Sequence, residues 1–220
     1  MTERTAPNSL VFVAAGLLIA YSPSYIGPLL GWMGVNIGPS GPQSILLWNW
    51  LAVGTLVAYI LFVERKRLAS ILLIRPKGKD IEWAFYFWGI GVGVSWLMLQ
   101  LFPQSETYSS GVDAIITLPI VVVIGIIFTT AISEEILFKG YPIERLRELT
   151  GKLWVGVLVS FALFITPHLL FFGPEWLLYN GIATGLIYVL YVWRRNLYAC
   201  ILLHFLSNAP ILIPALGLGG

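Results

Sequence analysis

The chain has 220 residues, of which 58% are hydrophobic and only 11% are charged, and its mean hydropathy is +0.84. A soluble domain carries about 25% charged residues, and a membrane-spanning helix needs about 20 apolar residues in succession. The composition therefore excludes an ordinary soluble domain and predicts an all-α, polytopic bundle of transmembrane helices. The net charge of +2 gives no reason to expect nucleic-acid binding. The single cysteine, Cys200, excludes an internal disulfide and is interpreted as a small buried hydrophobe.

Seven apolar stretches follow one another along the chain, and each is long enough to cross a bilayer. The first runs from Ser9 to Trp32, and because no small-residue cleavage site follows it, we expect a spanning helix rather than a signal peptide. The fourth begins near Ile115. The other five are expected at about 43–63, 81–102, 153–172, 177–193 and 197–216. Gly and Pro residues at 34–42 predict a loop, and so do the polar residues at 103–114.

Basic residues sort the connections between these stretches into two groups. Every Lys and Arg except Arg4 lies in one of three alternate connections, at 64–80, 139–152 and 194–196. Because positive residues mark the cytoplasmic side of membrane proteins, we expect these connections and the N-terminus to be cytoplasmic. The expected location is the plasma membrane if the protein is prokaryotic. In the third stretch, three glycines predict close approach of a neighbouring helix, at Gly89, Gly91 and Gly93.

Two adjacent carboxylates, Glu134 and Glu135, stand towards the end of the fourth apolar stretch. A charged side chain inside hydrocarbon costs about 2.5–3.5 kcal/mol on insertion scales, so an intramembrane pair is a candidate functional site. On a helix the two side chains point about 100° apart, which assigns them different roles. Glu135 precedes Lys139 by four residues, the favourable order for an ion pair. This leaves Glu134 free to face a cavity and act as a general base.

The only two histidines, His168 and His204, also lie in apolar stretches. Phe164 precedes the first by four residues and Asn208 follows the second by four, so each pair shares one helix face. Pro167 should bend or break the helix that carries His168. An imidazole beside a carboxamide is a suitable pair of donors for a developing oxyanion. We expect these side chains and the first glutamate to meet in one water-accessible pocket inside the membrane.

Other interpretations of the same residues stay open. A single buried histidine is usually a satisfied core residue, and paired glutamates also serve as proton relays or as polar locks between helices. Glu134, His168 and His204 are candidate zinc ligands, since imidazole and carboxylate both bind zinc, although the spacing is not HExxH. The alternative to an enzyme is a non-catalytic membrane protein, either a proton-coupled transporter or an immunity or scaffold protein. A transporter more often shows paired halves with broken helices, and the sequence contains no such repeat.

Three motifs, taken together and in order, resemble those of the CAAX prenyl protease 2 and bacteriocin-processing family of intramembrane endopeptidases, also called the abortive-infection family. They are Glu134-Glu135-xxx-Lys139, Phe164-xxx-His168 and His204-xxx-Asn208. The resemblance covers about residues 115–210, the catalytic core of what we expect to be a single membrane domain spanning 1–220. It implies that Glu134 with His168 activates the hydrolytic water. It also implies that His204 with Asn208 stabilises the oxyanion, and Glu135 belongs to the motif.

The resemblance further implies an endopeptidase that hydrolyses a peptide bond of a membrane-associated protein or peptide by direct attack of water. Its site would open to the cytoplasm or to the adjacent lipid. Eukaryotic-type members remove the last three residues of prenylated CAAX proteins, whereas prokaryotic-looking members have other or unknown substrates, and the residues do not decide between them. Members work with zinc or through glutamate alone, and both mechanisms stay open here. Lys139 stands where the family usually has arginine, which keeps the charge but loses the bidentate fork.

Overall fold

The computed structural model describes residues 10–35 and 38–218, which form helices and turns and contain no strand. The helices are α1 (Leu10–Trp32), α2 (Ile45–Ala58), α3 (Gly78–Leu101), α4 (Glu106–Ile116), α5 (Ile120–Glu134), α6 (Tyr141–Thr150), α7 (Leu153–Phe172), α8 (Trp176–Arg194), α9 (Leu197–Asn208) and α10 (Leu212–Ala215). Two π-helical segments, Tyr59–Val63 and Glu135–Gly140, continue α2 and α5. The predicted cytoplasmic N-terminus lies outside the described residues.

Seven helical stretches within the described part of the chain are long and apolar enough to cross a membrane. They are Leu10–Trp32, Pro42–Val63, Gly78–Leu101, Ile120–Thr150, Leu153–Phe172, Trp176–Arg194 and Leu197–Ala215. This confirms the predicted class, a polytopic bundle of transmembrane helices. The fourth stretch is the most buried of the seven, and its first part, α5, packs between α2 and α9. The predicted Glu pair therefore lies on a central helix rather than on one that faces lipid.

The prediction of a loop at 103–114 is wrong, because most of this segment is the helix α4. Its first turn is capped by Ser105, whose side chain accepts a hydrogen bond from the Tyr108 backbone N–H at 3.2 Å. The Tyr108 ring packs against Tyr179 and Phe172, with centroids 4.7 and 6.1 Å apart. The helix therefore packs against residues near the ends of α7 and α8, and polar residues alone were a poor guide to a loop.

Residues 139–150 are helical, so most of the segment 139–152 is not the basic connection that the sequence suggested. Its Arg145 is 1% exposed and holds Glu64 Oε2 through Nε at 2.9 Å and Nη2 at 2.7 Å. The Tyr141 hydroxyl donates to Oε1 of the same glutamate at 2.8 Å. Because buried charges persist only when paired, Arg145 serves the fold rather than marking a solvent-exposed loop. The orientation of the bundle in the membrane stays a prediction.

Helix α7 runs through Pro167 without a break, although the sequence suggested a bend or a break there. Proline has no backbone N–H, so the carbonyl of Leu163, four residues earlier, loses its helical partner. The hydroxyl of Tyr25 in α1 donates to this carbonyl at 2.6 Å. A side chain from another helix therefore supplies the missing hydrogen bond, one turn before the candidate residue His168.

Of the three glycines predicted in α3 to allow close helix approach, Gly91 does so, and the tightest approach of a described glycine to a neighbouring backbone lies between α6 and α7. A methyl group built on Gly91 would meet the Ala183 Cβ at 3.2 Å, but on Gly89 or Gly93 it would meet nothing within 4 Å. On Gly156 of α7 it would lie 2.6 Å from the carbonyl oxygen of Ile143. Because that oxygen belongs to the backbone of α6, the two helices would have to move apart.

Gly156→Ala is therefore expected to lower the free energy of unfolding by about 1–3 kcal/mol, the usual effect of overpacking. The measurement is unfolding of the purified protein in detergent. Gly54→Ala is the matched control, since a methyl group there meets nothing within 4 Å and alanine favours helix by about 1 kcal/mol. Equal stability of the two variants would contradict the close contact of α6 with α7.

Candidate active site

The central helix changes from α to π geometry between the two candidate glutamates. Glu134 is the last residue of α5 and Glu135 is the first of the π-helical segment. Such segments inside α-helices are frequent at functional sites. Neighbouring helices bond to the chain just before the segment and within it: Asn49 Nδ2 donates to Ser133 Oγ at 2.9 Å, and the Ser160 hydroxyl donates to the Phe138 carbonyl. The positions of the two carboxylates are thus fixed from α2 and from α7.

Glu135 and Lys139 form the ion pair that their spacing predicted. Lys139 Nζ lies 2.7 Å from Glu135 Oε1, and both side chains are completely buried. The ammonium group also lies over the rings of Phe164 and Tyr188, at 4.4 and 4.6 Å from their centroids. Such cation–π contacts add to the attraction of the carboxylate, especially where water is excluded. The pair therefore anchors the π-helical segment to α7 and α8.

His204 of α9 lies between the two glutamates and is 5% exposed. Its Nδ1 is 2.7 Å from Glu135 Oε1, and its Nε2 is 3.7 Å from Glu134 Oε2. Glu135 is paired with the Lys139 ammonium and acts as a carboxylate acceptor, so the hydrogen bond runs from the His204 Nδ1–H to Glu135. The sequence grouped this histidine with Asn208 and did not predict that it contacts both carboxylates.

His168 of α7 is held by the backbone and by aromatic rings. Its Nδ1 is 2.8 Å from the Phe164 carbonyl, and its ring lies 4.6 Å from the Phe164 ring, as the spacing predicted. Because a carbonyl only accepts, Nδ1 carries the hydrogen and Nε2 of the neutral ring keeps its lone pair. The ring also stacks on Trp176 at 4.5 Å, a contact that the sequence did not predict. Phe164 lies 6.3 Å from the His204 ring and so links the two imidazoles.

Asn208 at the end of α9 is tied to the central helix through Thr130. Its Nδ2 lies 3.1 Å from Thr130 Oγ1, and the threonine hydroxyl donates to the Ile126 carbonyl at 2.8 Å. Thr130 precedes Glu134 by four residues, so the two side chains share one face of α5. Thr130 was not predicted from the sequence as a site residue. The feature that could have indicated it is a hydroxyl side chain one helical turn before the first glutamate.

An apolar cavity of about 220 Å³ lies between α5 and α9, and residues of its lining are close in sequence to Glu134 and His204. Its lining consists of Phe128, Ala131, Ile132, Tyr198, Ile201, Leu202 and Phe205. Ile132 precedes the glutamate pair by two residues, and Phe205 directly follows His204. The walls of this cavity suit a hydrocarbon chain rather than a polar ligand.

Zinc is bound in structural and catalytic sites through at least three protein groups. Among the described residues, no group of three or more His, Cys, Asp or Glu side chains is placed to hold a metal ion. His204 Nδ1 is already bonded to Glu135, and His168 Nδ1 to a carbonyl. The candidate set Glu134, His168 and His204 does not fit zinc in this arrangement.

Comparison with known proteins gives one match. Residues 116–210 match the family model described as Rce1-like, type II CAAX prenyl endopeptidase Rce1-like. No curated protein and no solved structure matches the chain. The matched segment nearly coincides with the range 115–210 over which the motifs resemble this family, and it contains all five candidate site residues, Glu134, Glu135, His168, His204 and Asn208.

Proposed function

Because residues 116–210 match the model of the Rce1-like family of type II CAAX prenyl endopeptidases, we propose that this multi-pass membrane protein cleaves a peptide bond by glutamate-activated water. The family is one of membrane proteases and favours an enzyme over the transporter or scaffold alternatives. The observation that carries the mechanism is the position of His204 between Glu134 and Glu135, at 3.7 and 2.7 Å, inside the bundle.

In the proposed first step, Glu134 takes a proton from a water molecule as its oxygen attacks the substrate carbonyl. Glu134 suits this role because its side chain is 12% exposed and, unlike Glu135, it pairs with no lysine. His168 would orient the same water by accepting its second hydrogen at Nε2, since Nδ1–H is bonded to Phe164. The two acceptors then fix the direction in which the water lone pair points.

Attack of water converts the substrate carbonyl oxygen to an oxyanion, for which the site offers two donors. Asn208 has a second Nδ2–H besides the one given to Thr130. His204 would donate from Nε2 in its doubly protonated form. In that form Lys139 and His204 carry two positive charges beside two carboxylates, so the buried cluster is neutral overall. Preorganised donors of this kind supply a large part of the rate enhancement in acyl transfer.

The proposed cycle ends when Glu134 returns its proton to the leaving nitrogen. The carbon–nitrogen bond then breaks, and the second proton of the water passes from the new carboxylic acid to the amine, so the products are a carboxylate and an ammonium group. The oxygen of the water ends in the new carboxylate, and no covalent bond to the protein forms. One carboxylate thus serves first as base and then as acid, which is why its protonation must be reversible during turnover.

We propose that the substrate is a membrane-associated peptide that carries a lipid, as in prenylated CAAX proteins. The support is the apolar cavity between α5 and α9, which has no polar side chain in its lining other than Tyr198 among the described residues. A lipid would also concentrate the peptide at the bilayer surface.

The test is cleavage of a fluorogenic CAAX-type peptide by the purified protein in detergent, with farnesylated and unmodified forms compared. The proposal expects turnover of the farnesylated peptide and a several-fold lower kcat/KM for the unmodified one. Turnover of both peptides at equal kcat/KM would contradict the lipid requirement and leave a general membrane protease. No cleavage of either peptide at any protein concentration would count against the CAAX-type substrate.

The same assay separates the glutamate mechanism from the zinc mechanism that the family also suggests. Metal analysis of the active protein and activity after dialysis against a chelator are the two measurements. Glutamate-activated water predicts full activity without stoichiometric metal. Loss of activity on chelation, with recovery on addition of zinc, would favour zinc and would require the ligands to move from their present hydrogen bonds.

A further inference from the structure

Thr130 connects the helix that carries the proposed base to the helix that carries the proposed oxyanion donor. It is 8% exposed and lies on α5, one turn before Glu134. Its Oγ1 is the only hydrogen-bond partner of the Asn208 side chain among the described residues, at 3.1 Å. The hydroxyl is therefore in contact with one member of the site and shares a helix face with another.

The direction of this hydrogen bond follows from what else the threonine hydroxyl does. A hydroxyl has one hydrogen, and that of Thr130 is directed at the backbone carbonyls of Ile126 and Ile127, at 2.8 and 3.3 Å. Towards Asn208, Oγ1 can then only accept. The amide must present its nitrogen to Thr130, because its oxygen would meet a second acceptor there. The acceptor at Thr130 therefore determines that the nitrogen of the Asn208 amide, and not its oxygen, faces the threonine.

We propose that Thr130 is a positioning residue for hydrolysis, which holds the Asn208 amide with its second N–H, rather than its oxygen, available to the oxyanion. The inference rests on the proposed function, because it assigns a role within that site. Without the hydroxyl, the amide is free to turn about its terminal torsion, which has two similar orientations. One of these directs a carbonyl oxygen at the oxyanion and repels it.

The effect should fall on the chemical step rather than on binding, since the oxyanion exists only after attack. Thr130→Val removes the hydroxyl and keeps the shape. It is expected to lower kcat by roughly 10-fold with KM changed less than twofold, below the 10²–10³-fold typical of losing an oxyanion donor altogether. Thr130→Ser keeps the hydroxyl and should restore kcat to within about twofold of wild type. Thr130→Ala serves if valine prevents folding.

The neighbouring residue provides a matched control. Thr129 Oγ1 accepts a hydrogen bond from Trp50 Nε1 at 3.0 Å, is also buried, and makes no hydrogen bond to a site residue in the described part of the chain. Thr129→Val therefore removes an equivalent bond between α5 and a neighbouring helix without touching Asn208. Its kcat should stay within about twofold of wild type. Equal kcat for Thr129→Val and Thr130→Val would overturn the proposal, because a general loosening of α5 would then explain both.

A double-mutant cycle on the farnesylated peptide completes the test. In an Asn208→Ala background, Thr130→Val should cause no further loss of kcat, because the amide that it positions is absent. Independent, multiplying losses would overturn the inference. A wild type without turnover would refute the proposed function and this inference with it. Normal turnover by wild type and by Thr130→Val would refute the inference alone.

Discussion

Replacing Glu134 with glutamine is expected to lower kcat by roughly 10²–10⁴-fold, while KM and thermal stability stay close to those of wild type. Glutamine has nearly the same size and polarity as glutamate but cannot take a proton from water. The structural effect should be small because the nearest charged partner of Glu134 is the His204 Nε2, at 3.7 Å. That distance is longer than a hydrogen bond, so little pairing is lost.

Steady-state cleavage of the farnesylated peptide by equal amounts of folded protein measures this effect. Glu82→Gln is the control, since it removes a carboxylate that is exposed on α3 and makes no ion pair among the described residues. Its kcat should equal that of wild type. A kcat for Glu134→Gln within twofold of the Glu82→Gln value would remove Glu134 as the base and with it the proposed mechanism.

The spanning helices could be predicted from sequence because hydrocarbon imposes a minimum apolar length. The fifth span was expected at 153–172 and is Leu153–Phe172, and the sixth was expected within one residue of each end. Helix α4 was missed because its first half is polar and such composition resembles that of a loop. Its identity as a helix depends on the cap at Ser105 and on packing over α7 and α8, neither of which hydropathy reports.

Within the site, spacing predicted which residues share a helix face but not which residues meet between helices. The contacts of Glu135 with Lys139 and of Phe164 with His168 are local, and both are present as predicted. The contact of His204 with both glutamates depends on how α9 is placed along α5. That placement follows from packing of many apolar side chains, so four-residue spacing could not reveal it.

The π-helical segment likewise could not be predicted from the sequence. The segment Glu135–Gly140 ends in a glycine, but a single glycine does not predict a change from α to π geometry. The bonds that accompany it come from Asn49, far earlier in the chain, and from Ser160 on α7. The glutamate pair could be found from the sequence because charged side chains are costly inside a membrane. The direction in which each carboxylate points depends on tertiary contacts.

The second large effect concerns stability. Lys139→Met is expected to lower the free energy of unfolding by about 3–5 kcal/mol, because it leaves the carboxylate of Glu135 buried with a single donor, His204. The other oxygen of that carboxylate, Oε2, already has no hydrogen-bond partner among the described residues. Glu135→Ala should likewise reduce folding or expression at least as much as rate, and it also releases the histidine from its position.

Unfolding in detergent distinguishes this buried pair from an exposed one on the same protein. Lys66 pairs with Glu148 at 2.6 Å, but the two side chains are 26% and 30% exposed, so Lys66→Met should cost less than about 1 kcal/mol. The double variant Glu135→Gln with Lys139→Met should recover part of the stability lost in Lys139→Met, since no uncompensated charge is then buried. If Lys139→Met were as stable as Lys66→Met, the ion pair would not be what holds the π-helical segment. The position of His204 between the glutamates would then need another cause.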